Sequence, residues 1–446
     1  MNSYSILTNP RFKIVSLTPY IFLSFIFLIN LFIFWPGQME PDSICQYNAA
    51  ISGIFSDHHP PVMSLLWKFL NIIHTGSGLM FLFHLILLYS STLIFMIIFN
   101  SSQLIWLYAC LPLFPQIFIY SSLILKDVGF AFSYLFIIAI LSYSTMKTKS
   151  LNLYQIIIIL FLLSYGTSVK FQAIYICPII TLIFSYCLNN LKFNLKTFIL
   201  SFFIYTLIFF SIKCLHDSLI PPEKRSHSWQ FVKLYDLAAI SIKLDDPIFP
   251  DFVKNNPNFS FENIKKNFTH EKVDALIFPD HAPLIKGTNE SERKQLLYCW
   301  YKNILKHPYI YLSHRFKNLF YILNAGPLQK LKLNDLEKYK GLEWLKNYKN
   351  LSKIVFKISS LAKFLKFGFL LPFIIFYFIL GLININKNPA ALPLIFMNSI
   401  SLALVFILLF FSMAGMLRYV YIAMCMFHSS HGFAYLCWKN RLKNPF

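Results

Sequence analysis

The stretch W-P-G-Q-M-E-P-D-S-I-C-Q-Y-N-A-A-I-S-G-I-F-S-D-H-H-P-P, residues 35–61, leaves the first apolar run of the chain. It carries three carboxylates, Glu40, Asp42 and Asp57, before a His-His-Pro-Pro corner. Its surroundings give it meaning. Apolar residues make up 57% of the 446 positions and charged residues only 13%, with a mean hydropathy of +0.56. Apolar runs of near-spanning length recur along the chain, which predicts a polytopic membrane protein rather than two or three soluble domains. Charges this close to hydrocarbon are costly and tend to be functional.

The formal net charge of +21 invites a nucleic-acid partner, but the basic residues do not alternate with aromatics on a soluble face. They sit between apolar runs and in one long hydrophilic insert, where anionic headgroups and phosphate-bearing lipids are the natural counter-charges. The eight cysteines form no framework. Cys110, Cys177, Cys187, Cys425 and Cys437 lie in or beside apolar runs and Cys214 at the end of one, where Cys acts as a small hydrophobe. Cys45 and Cys299 have no metal-type spacing, although a disulfide between them is conceivable. No cleavage site follows the first apolar run, so it reads as a retained span.

Ten spans are predicted, at about 15–35, 77–99, 104–122, 128–145, 151–168, 172–188, 197–214, 362–383, 391–413 and 417–438. The run 61–73 is too short to cross; with Pro61 at its start and a lone Lys68 it suits an interfacial helix. Residues 1–214 thus form an N-terminal membrane domain of seven spans, with the first outer loop at 36–76. Residues 215–360 form a hydrophilic, mostly helical domain, and residues 361–446 a C-terminal membrane domain of three spans. An inner N-terminus places Arg11, Lys13, Lys147, Lys149, Lys192, Lys196, Lys387 and Lys439 on the inner side, as the positive-inside rule requires. Every acidic residue then falls outside. Fifteen of the nineteen lie in the insert, and the other four are Glu40, Asp42, Asp57 and Asp127. The short outer loops add Lys126, Lys170 and Arg418.

Each candidate has a structural and a chemical account. Asp42 follows Pro41 and would cap a short helix ending near Gly53, or act as a general base on a hydroxyl. Gln46, one turn on, would share its face and orient an acceptor. Glu40 is a second acid or a solvated one. Asp57-His58-His59 is a capping turn, or a place where a histidine donates to a phosphate; adjacent histidines lack the spacing of helix-borne metal ligands. Lys126-Asp127 is a local ion pair, or a phosphate ligand with its positioning acid. Arg418-Tyr419 is a snorkelling anchor or a bidentate phosphate clamp, and Lys170 is a weaker version of the same. In the insert, 228–240 and 298–319 read as amphipathic helices.

The order of these features resembles the polytopic GT-C-fold glycosyltransferases that use polyprenyl-phosphate sugars. These include protein O-mannosyltransferases, lipid A aminoarabinose transferases and bacterial O-antigen-modifying glucosyltransferases. The resemblance is carried by Asp42 in a first outer loop with interfacial helices, by Lys126-Asp127 in the second, and by Arg418-Tyr419. It is also carried by the pattern Trp300, Ile304, His307-Pro308, Tyr311, His314-Arg315. It implies an all-α membrane fold of about ten transmembrane helices with a helical outer-face domain. It implies Asp42 as catalytic base, with Lys126 and Arg418 on the lipid phosphate. Beside these, Asp127 is a catalytic candidate, His58, His59 and Lys170 are phosphate-binding candidates, and Gln46, Glu40 and Tyr419 are acceptor-orienting ones.

The expected partners are a polyprenyl-phosphate sugar, a glycan or lipid acceptor and the membrane. No cofactor is called for, and a divalent cation is left open. The expected location is a bacterial inner membrane, with the active site facing the periplasm. Two other classes compete. A flippase for a lipid-linked saccharide would want interrupted helices near the midplane, whereas these runs read as continuous. A membrane acyltransferase would need an acyl-donor site that no run supplies.

Overall fold

A computed structural model describes residues 17–443, apart from 101, 280, 326–356 and 358–365. Arg11, Lys13 and much of 326–360 therefore lie outside the described residues. The first part of the chain forms α1 (Thr18–Phe34), α2 (Pro41–Ser52), α3 (Pro61–Ile73), α4 (Gly78–Ile98), α5 (Leu104–Ala109), α6 (Pro115–Ser121), α7 (Lys126–Lys147), α8 (Leu153–Val169), α9 (Cys177–Leu188) and α10 (Leu195–Leu219). The insert holds α11 (Gln230–Leu244), the short α12 (Asp251–Lys254), α13 (Phe261–Asn267) and α14 (Asp274–Ile277), then α15 (Glu290–Lys306) and α16 (Pro308–Asn324). The chain ends with α17 (Phe367–Asn384), α18 (Ala391–Phe411) and α19 (Tyr421–Lys443).

Five helices among the described residues, α4, α7, α10, α17 and α18, are long and apolar enough to cross a membrane. The chain is an all-α, polytopic membrane protein with helical mass outside the bilayer. The expected ten spans are corrected to five by this measure, and local chemistry explains the difference. The run 104–122 is broken because Pro112 and Pro115 each lack an N–H, and Phe114 before Pro115 is extended at ψ 128°. The run 172–188 is a 3₁₀ turn over Phe171–Tyr175 followed by twelve residues of α9. The helices α1 and α8 have only 17 residues each. The last run gives a 23-residue helix, but His428-Ser-Ser-His431-Gly432 and the basic end after Trp438 dilute its apolar character.

Of the spanning helices, α7 is the central one. It is buried along most of its length and packs against α4, α8, α9, α18 and α19. At 1.5 Å per residue it is about 33 Å long, enough to put Lys147 on the opposite side of a bilayer from Lys126. The segment before it is stapled to the first loop. Gln38 N–H donates to the Ser122 carbonyl at 2.8 Å, Ile124 N–H donates to the Gln38 carbonyl at 3.0 Å, and the Ser43 hydroxyl donates to the Ile124 carbonyl. Gly37 makes this approach possible. Its φ is +90°, and a Cβ there would sit 2.7 Å from Ile124 Cδ1 and 2.8 Å from Phe81 Cβ. Pro41 opens α2, and Gly53 closes it in the left-handed region.

The insert has an apolar core of its own, built from Leu234, Leu237, Val253, Ile264, Leu276 and Leu296 among others. The expected helix at 228–240 is α11, but it is buried over most of its length rather than amphipathic. The expected single helix at 298–319 is two, divided at His307 because Pro308 starts a new one. All eight cysteines are free, so Cys45 and Cys299 are not bridged. Gly37→Ala places a methyl against Ile124 and Phe81 in a disfavoured backbone region, and is expected to cost about 1–3 kcal/mol. Denaturant unfolding in detergent measures this, and stability equal to the parent's would show that the staple does not hold the loop.

Candidate active site

The first loop, the start of α7, the α8–α9 turn and the 3₁₀ turn Leu417–Val420 meet at one end of the bundle. Arg418 is the centre. Its Nη1 lies 3.1 Å from Asp42 Oδ2 and 3.6 Å from Glu40 Oε2, and all three side chains are mostly buried. Lys170, at the end of α8, forms an ion pair with Asp127 in which both partners are buried. The Lys170 ammonium and the Arg418 guanidinium both sit over the Tyr419 ring, 5.0 and 5.8 Å from its centroid. Three carboxyl groups, Glu40, Asp42 and Asp127, and three cations, Arg418, Lys170 and Lys126, thus gather at one end of the bundle.

The His-His corner forms the next wall. Lys126 Nζ donates to His59 Nδ1 at 2.9 Å. Burial first, and then Lys126, hold His59 down at about 3, so it is neutral and able to accept that bond. His58 stacks edge-on against His59 at 4.6 Å and bonds Ser228 Oγ at 3.2 Å. Asp57 accepts from the backbone N–H groups of Ser226 and His227, the latter at 2.9 Å. The corner therefore ties the membrane half to the insert. A cavity of about 480 Å³ opens beside this joint, lined in part by Arg225, Ser226, His227 and Lys286.

Electrostatics separates the two first-loop acids. Burial pushes Asp42 up, but the charges around it, Arg418 first and then Lys126, outweigh burial and hold the carboxyl below its ordinary value. For Glu40 burial wins over Arg418, and Asp42 and Asp127 add to it, so its pKa is raised. Two neighbouring acids pushed apart in this way can divide the roles of proton acceptor and proton holder.

The simpler accounts of these residues are corrected. Glu40, not Asp42, is the N-cap of α2, and it makes no side-chain cap bond. Asp57 does not cap α3, whose N-cap is Pro60. Lys126 and Asp127 do not pair with each other: one turns to His59, the other to Lys170. Arg418 does not snorkel to solvent. Gln46 is buried, and among the described residues neither of its amide atoms has a partner, although it lies one turn from Asp42.

The pattern from Trp300 to Arg315 does not reach this site. Trp300 Nε1 and Arg315 Nη2 both donate to Asp236 Oδ2, at 2.8 and 2.6 Å, and His314 Nε2 lies 3.5 Å from Asp236 Oδ1. Asp236 went unrecognised in the sequence. Its one signal is an acid inside an apolar helix face, which needs a buried cation to be tolerable. Among the described residues no cluster of histidine, cysteine and carboxylate could hold a metal.

Replacing Lys170 by Met strands the Asp127 carboxylate away from water. The expected cost is about 3–5 kcal/mol, with most of it recovered in Lys170→Met/Asp127→Asn, because the charge and not the packing is at fault. Unfolding of the two variants in detergent measures the difference, and equal losses would contradict it. No family model, curated protein or solved structure matches the chain.

Proposed function

We propose that this end of the bundle is the active site of an inverting glycosyltransferase. It moves a sugar from a polyprenyl-phosphate donor to a hydroxyl of a cell-envelope acceptor such as O-antigen, lipid A or a similar glycan. The observation that carries it is Asp42, held ionised 3.1 Å from Arg418 at the margin of an apolar bundle. A carboxylate base and a phosphate-binding cation are thus within one substrate's reach of each other. In the reaction the acceptor oxygen forms a bond to the anomeric carbon as its proton passes to Asp42. The bond from that carbon to the phosphate oxygen breaks, and the electron pair leaves on polyprenyl phosphate. The leaving group gains charge, which Arg418, Lys126 and Lys170 take up.

The carboxyl neighbours of Arg418 also set an order of events. Arg418 cannot grip the donor phosphate with full strength while it serves two carboxylates. Arrival of the phosphate draws it toward the donor and leaves Asp42 more basic. Donor binding before acceptor is the sequence this supports. The basic residues at the far ends of α7 and α19, Lys147 and Lys439, favour a site on the outer face of a bacterial inner membrane.

Asp42→Asn is expected to lower transfer by roughly 10²–10⁴ while leaving insertion intact. Turnover is measured with a polyprenyl-phosphate sugar in detergent, and parent-like turnover of this variant would end the proposal. The parent's kcat/KM should fall on acidification through a pKa below the ordinary carboxylate range, because protonated Asp42 accepts no proton. Arg418→Met removes the opposing charge, leaves burial to act, and should move that acidic limb to higher pH. A limb that stays in place would show that Asp42 is not the titrating group.

One observation favours transport instead. The apolar runs over 104–121 and 171–188 are interrupted, as in carriers with broken helices. Proteoliposomes separate the two readings: movement of a lipid-linked sugar across the bilayer with the sugar unchanged supports the carrier.

A further inference from the structure

Arg418 reaches Asp42 from a short segment, Ser412 to Met416, that joins α18 to the 3₁₀ turn Leu417–Val420. The insert grips this segment from two sides. On one side Arg315 Nη1 donates to the Ser412 carbonyl at 2.9 Å, and the Ser412 hydroxyl donates to Asn318 Oδ1 at 3.0 Å. On the other, Val273 N–H donates to the Met413 carbonyl at 3.1 Å and Gly415 N–H to the Glu271 carbonyl at 2.5 Å, an isolated antiparallel bridge of Lys272 with Ala414. Tyr419 N–H then donates to the Met416 carbonyl at 3.1 Å, which sets the turn that carries Arg418.

The grip itself is rigid. Arg315 and Asp236 are fully buried, and the guanidinium is oriented by Asp236, which Trp300 also engages. A planar guanidinium held at one nitrogen by a carboxylate presents its other nitrogen in a fixed direction. Gly415 allows the strand to lie close, since a Cβ there would come 2.9 Å from Tyr321 Cβ and 3.4 Å from the Glu271 carbonyl oxygen.

We propose that Arg315, oriented by Asp236 and Trp300, is a positioning residue for Arg418. The insert thereby sets the phosphate-binding cation of a site it does not itself contain. Trp300, His314 and Arg315 are spaced as they are because α15 and α16 turn all three toward one carboxylate on α11. The kinetic half of this inference rests on the donor-clamp role given to Arg418 above; the structural half does not.

Two measurements on the full chain in detergent test it. The first is amide hydrogen exchange. Arg315→Met is expected to lose protection at Val273, Gly415 and Tyr419 while the interiors of α18 and α19 keep theirs. Because that change strands the Asp236 carboxylate and can unfold the protein, Arg315→Met/Asp236→Leu removes both charges together. Gly415→Ala displaces the same segment with the ion pair intact. Unchanged exchange at Gly415 and Tyr419 in the charge-free pair overturns the latch.

The second measurement is a kinetic cycle with a polyprenyl-phosphate sugar. Each of Arg315→Met and Arg418→Met should raise the donor KM by roughly tenfold or more, and their combination should add little, as for residues acting through one another. The acidic limb of kcat/KM should also move to higher pH in Arg315→Met and in Gly415→Ala, because a retreating Arg418 no longer opposes burial at Asp42. A purely structural role moves neither the limb nor the additivity. Additive losses with an unmoved limb overturn the positioning role even where exchange is lost. A parent without transfer activity counts against the glycosyltransferase proposal alone and leaves the exchange result decisive for the latch.

Discussion

An ionised side chain next to hydrocarbon is stable only in contact with an opposite charge, and this constraint organises the molecule. Glu40 and Asp42 near the start of the chain are held by Arg418 near its end, and Asp127 is held by Lys170 across two helices. Neither pair could be left open in a low-dielectric setting without losing several kcal/mol. The loops that carry these groups are therefore drawn to one end of the bundle. The buried helix α7 and the Gln38–Ser122 staple supply the framework on which they meet.

Competition for Arg418 is the second consequence. Glu40 and Asp42 both lie against its guanidinium, and in the proposed reaction the donor phosphate would contend with them for it. That competition makes Asp42 conditional, since its basicity depends on where the guanidinium points.

The insert extends the same logic outside the membrane. Asp236 and Arg315 are buried charges of the kind that seldom add stability but often specify one arrangement. Here the arrangement is the course of residues 412–416. The joint at Asp57, His58 and Ser226 is a second point where the insert and the first loop are held in register. The two halves of the chain are thus linked at the carboxylate side of the site and at its cation side.

Hydropathy, a property summed over neighbouring residues, was enough to establish the helical membrane character and the helical mass outside the bilayer. The single-residue signals of Pro41, Gly53 and Pro61 placed α2 and α3. Local chemistry was also where the spans were overcounted, because an apolar run continues through Pro112 and Pro115 although a helix does not. No local rule could assign the partners. Lys126 stands beside Asp127 in sequence yet bonds His59, Asp42 sits in the first turn of α2 yet faces Arg418, and Trp300 and Arg315 converge on Asp236. Pairing depends on distances between segments far apart in the chain and on which of them shut out water. Composition therefore determined a helical membrane protein with few charges, and only the packing of the helices decided which charge answers which.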